Sequence, residues 1–411
     1  MSFQNFAFHP QIKAGITAAG YSTPTPIQSQ SIPAILDGRD LLGLAQTGTG
    51  KTAAFVLPIL HRLMNGRRIG NKPRALILAP TRELAEQTHM AINALGRQTG
   101  LRSITVYGGV SAGPQMNGLR AGVDIVVACP GRLLDLMGQN VAQLTGIEIL
   151  VLDEADQMFD MGFLPGIRRI LGALPKQRQT LLFSATMPTE IRGLADEFLH
   201  RPVTVDINAS VPLETVSHAV YPVDGTRKVE MLLELLRTSG KGQVLIFTRT
   251  KHRAKRLAEQ LVKAGLAATS LQGNLSQNRR QEAMDGFRSG RFQIMVATDI
   301  AARGIDVSQI THVINYDLPN TAEAYTHRIG RTGRMENLGT ALSLVTSEDI
   351  PMIRTIERLL GAGLERRKLP GFDAPSLAAA QPEESSGRGS GARPNNGQRH
   401  NTGQRRPVRA Y

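Results

Sequence analysis

The sequence predicts an α/β protein built from two tandem parallel-sheet domains, and three observations carry that prediction. Short, apolar, β-rich runs alternate with helical stretches along most of the chain, the pattern of a parallel sheet wrapped by crossover helices. The rhythm stops near residue 205 and then restarts. The length, 411 residues, exceeds what one hydrophobic core organises and suits about two domains of roughly 150–200 residues each.

Taken in order, the first series of runs comprises Ala75–Ala79, Asp124–Cys129, Ile147–Leu152 and Thr180–Phe183, and the second Gln243–Thr248, Gln293–Thr298 and His312–Asn315. Their continuous apolar character fits strands covered on both faces. Between the series, Asp206–Ser217 has no helical periodicity and reads as a linker. From about Gly371 the chain turns to Gly, Asn, Gln and Arg, with too few apolar residues to bury, so a disordered basic C-terminal tail is expected. The expected divisions are residues 1–205, a linker at 206–217, a second domain at 218–370 and the tail at 371–411.

Composition excludes several classes. A single cysteine, Cys129, rules out an intrachain disulfide framework. The absence of an eighteen-residue apolar run, and an N-terminus without a basic-then-apolar signal pattern, predict a cytoplasmic protein with no membrane span. Net charge is +14, with 19 basic against 14 acidic residues up to 205, 23 against 17 in 206–370, and 6 against 3 beyond. A positive excess in every part points to a polyanionic partner, nucleic acid above all.

The first chemistry-bearing segment is Ala45, Gln46, Thr47, Gly48, Thr49, Gly50, Lys51 and Thr52, which follows an apolar run and opens a helix-like one. This is a phosphate cradle: glycines let backbone N–H groups turn toward phosphate oxygens, Lys51 reaches the β/γ-phosphates, and the Thr52 hydroxyl suits Mg²⁺. The strict pattern has Gly where this chain has Ala45. A matching carboxylate stands at the end of Ile147–Leu152, in Asp153-Glu154-Ala155-Asp156. Carboxyl ends of parallel strands are where open α/β sheets bind ligands. Asp153 is placed to hold the metal shell and Glu154 to polarise a water.

These residues resemble the DEAD-box RNA helicases of superfamily 2, across about residues 3 to 345, and the bacterial RhlE-like type in particular. Upstream, Gly20-Tyr21 and Pro24-Thr25-Pro26-Ile27-Gln28 match the Q motif, with Phe3 at the upstream aromatic position. The resemblance implies two RecA-like domains, with ATP and Mg²⁺ bound by Phe3, Tyr21, Gln28, residues 45–52 and Asp153, and, from the second domain, Gly304 and Asp306. It implies RNA contacts at Pro80, Thr81, Arg82, Gly109, Arg132, Gln277, Arg280 and Thr298. Phe247, Asp299 and Arg303 fall in matching motifs. Asp156, Ser184, Thr186 and His327 would couple nucleotide state to strand separation, and Arg331 and Arg334 would serve as arginine fingers.

The resemblance further implies RNA, single-stranded or in short duplexes, bound sequence-independently by a monomer, with ribosomal precursors or the RNA-decay machinery as the setting. Cys129 replaces the Thr that usually opens TPGR and reads as a small buried residue at a strand end. Gln272 stands where many members have His. Three activities stay open at this point: an ATP-dependent RNA helicase, an ATP-gated RNA clamp, and a DNA translocase.

Overall fold

The computed structural model of the chain describes residues 2–46, 48–66, 70–207, 216–238, 242–302, 309–332 and 339–372. The first sheet contains β1 (Leu41–Leu44), β2 (Ala75–Leu78), β3 (Ser103–Val106), β4 (Ile125–Ala128), β5 (Ile149–Leu152), β6 (Gln179–Ser184) and β7 (Val203–Asp206). The second contains β8 (Val216–Pro222), β9 (Gln243–Phe247), β10 (Ala268–Leu271), β11 (Ile294–Ala297), β12 (Ile310–Asn315), β13 (Gly339–Val345) and β14 (Glu365–Arg366). The spatial orders are β3-β4-β2-β5-β6-β1-β7 and β10-β11-β9-β12-β13-β8-β14, with parallel pairing throughout. Renumbering the second sheet from one makes the two orders identical. One RecA-like lobe is used twice.

The apolar runs form strands because both faces of each sheet are covered. In the first lobe Ile77, Val127, Val151 and Phe183 face a cluster with Phe55 and Leu60 of the helix Lys51–Asn65. Their neighbours Leu76, Val126, Leu150 and Leu182 face the opposite cluster, with Leu133, Leu136 and Ile170. The second lobe repeats this, with Ile246, Val296 and Ile314 on one side and Leu245, Met295 and Val313 on the other. Alternate residues of one apolar run thus supply two cores.

The expected linker is shorter at both ends. Asp206 closes β7, in register with Leu44, and Val216 opens β8, in register with Gly339. Pairing captures these residues because each lies beside a strand with free backbone groups. Residues 208–215, the core of the expected linker, and 373–411, nearly all of the expected tail, lie outside the described residues.

Tight approach is built into the first lobe. A Cβ on Gly15, in the helix Pro10–Ala18, would lie 2.1 Å from the carbonyl oxygen of Leu95, the last residue of the helix Arg82–Leu95. Backbone cannot step aside as a side chain can. Gly15→Ala is expected to destabilise the first lobe by about 1–3 kcal/mol, read as a lower midpoint of denaturant unfolding. An unchanged midpoint would show the two helices to be free to separate.

Candidate active site

The cradle residues sit between β1 and the helix Lys51–Asn65, as the strand–loop–helix pattern requires. Gly48 and Gly50 have φ of 87° and 94°, in the left-handed region where a side chain is strained. A Cβ on Gly50 would also lie 2.5 Å from Gln28 Nε2. Lys51 is buried at 5% exposure, and its Nζ donates to the Ala45 carbonyl at 2.9 Å. Thr49 Oγ1 donates to the Gln46 carbonyl at 2.7 Å, closing the loop on itself. Thr52 occupies the second position of the helix; Thr47 lies outside the described residues.

The PTPIQ segment braces this loop. Thr25 Oγ1 donates to the Thr49 carbonyl at 2.7 Å, and Gln28 Nε2 donates to the Gly50 carbonyl at 3.1 Å. The Gln28 Oε1 accepts from the Thr25 N–H at 2.9 Å. Gln28 therefore touches the phosphate loop directly, an arrangement that spacing alone could not reveal. Phe3 is buried at 2% exposure, beneath Tyr21, whose ring lies 5.9 Å away and is 42% exposed. The accessible aromatic face at this end belongs to Tyr21 rather than to Phe3.

Asp153 and Glu154 follow β5, each 2% exposed. Burial pushes the Asp153 carboxyl up to about 7, with Lys51 pulling it down and Glu154 pushing it up. Among the described residues its Oδ1 has no hydrogen-bond partner, leaving a buried carboxyl oxygen suited to a cation. Glu154 holds φ 52° and ψ 55°, a left-handed conformation for a residue with a Cβ. Such strain costs on the order of 1–3 kcal/mol and collects at functional sites.

Asp156 is tied to the end of β6. Its Oδ2 accepts from Thr186 Oγ1 at 3.0 Å and from the Thr186 N–H at 2.9 Å, while Ser184 Oγ accepts from the Asp156 N–H at 3.3 Å. From the second lobe, His327 Nε2 stands 4.0 Å from Asp156 Oδ2. Burial holds the His327 imidazole below its usual range, against the pull of Asp156. Arg331, 6% exposed, lines a small cavity of about 60 Å³ with Gln46, Thr186 and Gly330. A Cβ on Gly330 would be 3.6 Å from Gln46 Oε1, so the lobes meet beside the phosphate loop. Arg303, Gly304, Asp306 and Arg334 lie outside the described residues.

A second interlobe cleft, about 680 Å³, lies at the carboxyl ends of other strands. Its lining gathers Pro80, Thr81, Arg82, Gly109, Arg132, Gln277, Arg280 and Thr298, residues distant in sequence. Arg82, Arg132, Arg249, Lys251 and Arg280 give it a strongly positive wall, with Glu83 as the carboxylate among its lining residues. Gly109, at φ 79°, makes room for the Arg82 guanidinium, which a Cβ there would meet at 2.1 Å. Arg132 Nη2 donates to the Val110 carbonyl at 3.2 Å, and its buried Nη1 has no hydrogen-bond partner among the described residues.

Among the described residues, two side-chain contacts cross this cleft. Arg280 Nε donates to Glu83 Oε1 at 2.7 Å, and Arg82 Nη1 donates to Gln277 Oε1 at 3.2 Å. Glu83 was not singled out from sequence, where an acid in the first turn of a helix is adequately explained by the helix dipole. Arg328, also unassigned, is 2% exposed and donates to Asp299, Asn315 Oδ1 and the Asp317 carbonyl. Its guanidinium lies 4.9 Å from the centre of the Phe247 ring. Phe247 is 2% exposed, whereas Asp299, engaged by Arg328, keeps its side chain 37% exposed; both line a cavity with Asp156 and Thr186 of the first lobe. Gln272 Oε1 accepts from the Asn274 N–H at 2.6 Å, and its carbonyl accepts from Arg280 at 3.2 Å, positioning that arginine.

The DEAD/DEAH box helicase model matches residues 25–194, and the helicase conserved C-terminal domain matches residues 227–336. The chain is 40% identical over 371 residues to the ATP-dependent RNA helicase DeaD of Mycobacterium tuberculosis, covering 90% of this chain and 65% of that protein. It is 38% identical over 374 residues to the DEAD-box ATP-dependent RNA helicase CshA of Bacillus subtilis, covering 91% and 75%. Among solved structures, S. cerevisiae Dbp5 bound to RNA and ADP BeF3 is similar at a TM-score of 0.80 and 32% identity, over 90% of this chain and 95% of that one.

Cys129 directly follows β4 at 9% exposure, consistent with a small buried residue at a strand end. Burial, with Glu83 adding to it, pushes its thiol up to about 12. Since the thiolate is the reactive form, at pH 8 a disulfide-exchange reagent should label the native protein at least about 10³-fold more slowly than a free cysteine. Labelling at the free-cysteine rate would place the thiol in solvent.

Proposed function

The chain belongs to the DEAD-box helicase family, and from that premise we propose that it is an RNA-stimulated ATPase that unwinds short RNA duplexes and remodels RNA–protein complexes. One observation carries this reading. The phosphate loop and the basic cleft both lie on the interface between the lobes, so a ligand in either favours the same closed arrangement. The similarity to Dbp5 bound to RNA and ADP BeF3 supports it.

In this reading Gln28 and Tyr21 meet the adenine, over the buried Phe3, and residues 45–52 receive the phosphates, with Lys51 turning from the Ala45 carbonyl to the β/γ-phosphates. Thr52 and Asp153 would hold Mg²⁺, whose charge offsets that of the triphosphate and of the buried carboxylates. Glu154 orients the attacking water and accepts its proton. Arg331 and Arg334 bring guanidinium charge to the γ-phosphoryl group, with Gly304 and Asp306 completing the nucleotide side from the second lobe. Thr81, Arg82, Gly109, Arg132 and Thr298 suit phosphate and 2′-OH contacts, together with Pro80, Gln277 and Arg280. Asp156, held by Ser184 and Thr186 and faced by His327, links the two sites.

The division into lobes at residues 1–205 and 218–370, a cytoplasmic monomer and an RhlE-like subtype belong to the same proposal. Among the described residues no helix is long and apolar enough to cross a membrane. An ATP-gated clamp remains the second reading, since closure on RNA is common to both. Displacement of a strand from a short RNA duplex with ATP decides between them.

Hydrolysis should rise several-fold with RNA and little with DNA; equal rates with RNA, DNA or neither would overturn the proposal. Lys51→Ala should abolish turnover. Glu154→Gln should keep ATP and RNA binding while lowering turnover by at least about 10²-fold. Near-normal turnover in either variant would remove that residue from the chemistry.

A further inference from the structure

The helix Arg82–Leu95 begins at the basic cleft in the first lobe; the corresponding helix of the second lobe, Lys251–Lys263, carries a surface that the two clefts do not fully explain. Its buried face is Ala254, Leu257, Ala258 and Leu261. Its outward face, in the first two turns, is Lys251, His252, Arg253, Lys255 and Arg256, all exposed. No acidic residue stands in the first turn. Cations there oppose the helix dipole and repel one another, so the arrangement is unfavourable to the fold on its own account.

Local carboxylates offset only part of this charge. Arg253 Nη1 pairs with Asp317 at 2.6 Å, and Lys255 Nζ reaches Glu259 at 3.9 Å. Among the described residues Lys251 and Arg256 have no carboxylate within ion-pair distance. Arg168, Arg227, Arg237 and Arg291, also on the surface, each have one. The crowding extends inward: burial lowers the Lys228 ammonium, Asp317 and Asp349 pull it back, and Arg253 and Arg249 push it down again.

This face is continuous with the basic cleft. Arg249 and Lys251 line the cleft itself, and Lys255 lies one helical turn beyond Lys251 on the same stripe. We propose that Lys255 and Arg256 form a second RNA-backbone site, holding the phosphodiester chain where it leaves the cleft over the second lobe. The inference rests on the RNA reading of the cleft and extends it. An acidic protein is the poorer occupant, because the large exposed apolar side chain on this helix, Val262, stands at its far end, whereas protein interfaces centre on apolar residues.

The test compares the full chain with a Lys255→Ala/Arg256→Ala variant on RNA of about 6 and about 20 nucleotides. Losing two phosphate contacts should weaken binding of the longer RNA about tenfold at 0.1 M salt and reduce the slope of log affinity against log salt by about 1.4. Binding of the shorter RNA, and the hydrolysis it stimulates, should not change. A Lys255→Arg/Arg256→Lys variant should bind both lengths as the parent does, since charge alone is used. Unchanged affinity for the longer RNA, or equal losses at both lengths, would overturn the site. Failure of the parent itself to bind the shorter RNA would instead overturn the reading of the cleft.

Discussion

The ion pair between Glu83 and Arg280 is the contact on which the arrangement of the two lobes turns. It spans 2.7 Å between side chains that are each only 11% exposed, and it joins the first turn of a first-lobe helix to the second lobe. Partial burial matters here, because an exposed pair would contribute little once screened by water and salt. Its neighbours make it directional. The Gln272 carbonyl orients Arg280, and the adjacent Arg82 donates to Gln277 across the same gap. With these contacts formed, five positive side chains line one cleft, and the phosphate loop meets Gly330 at the other.

The two sites depend on this closure for different reasons. Near the phosphate loop, the buried carboxylates of Asp153 and Glu154 come from the first lobe and the Arg331 guanidinium from the second. Low-dielectric surroundings strengthen charge interactions there but make incomplete sites costly. In the basic cleft the positive charge is spread over both lobes, so a polyanionic backbone lying along it would gain most when the lobes are together. Any ligand preferring the closed form shifts the same equilibrium for the other.

Much of this was legible in the residues. Apolar runs of four to six residues marked strands covered on both faces; five of the seven quoted runs contain a strand and the other two lie within one. Glycines at 48 and 50 announced a tightly curling loop, which the structure holds at positive φ, and the acids after Leu152 fell at a strand's carboxyl end. What spacing could not supply was pairing between distant side chains. Glu83 and Arg328 were not singled out, and Gln28 was expected only as a nucleotide-binding residue. Each has its partner nearly twenty or more positions away, or in the other lobe. Phe3, expected among the nucleotide-binding residues, is buried beneath the ring of Tyr21, a packing choice invisible in one dimension.

A double-mutant cycle on Glu83→Ala and Arg280→Ala, read out as the RNA-dependent rate of ATP hydrolysis, tests the closure account most directly. Two side chains that act together across the lobes should give losses that are not additive, with an interaction energy of about 0.5–3 kcal/mol. Strictly additive losses would mean that the lobes close on RNA without this pair, and would contradict the account.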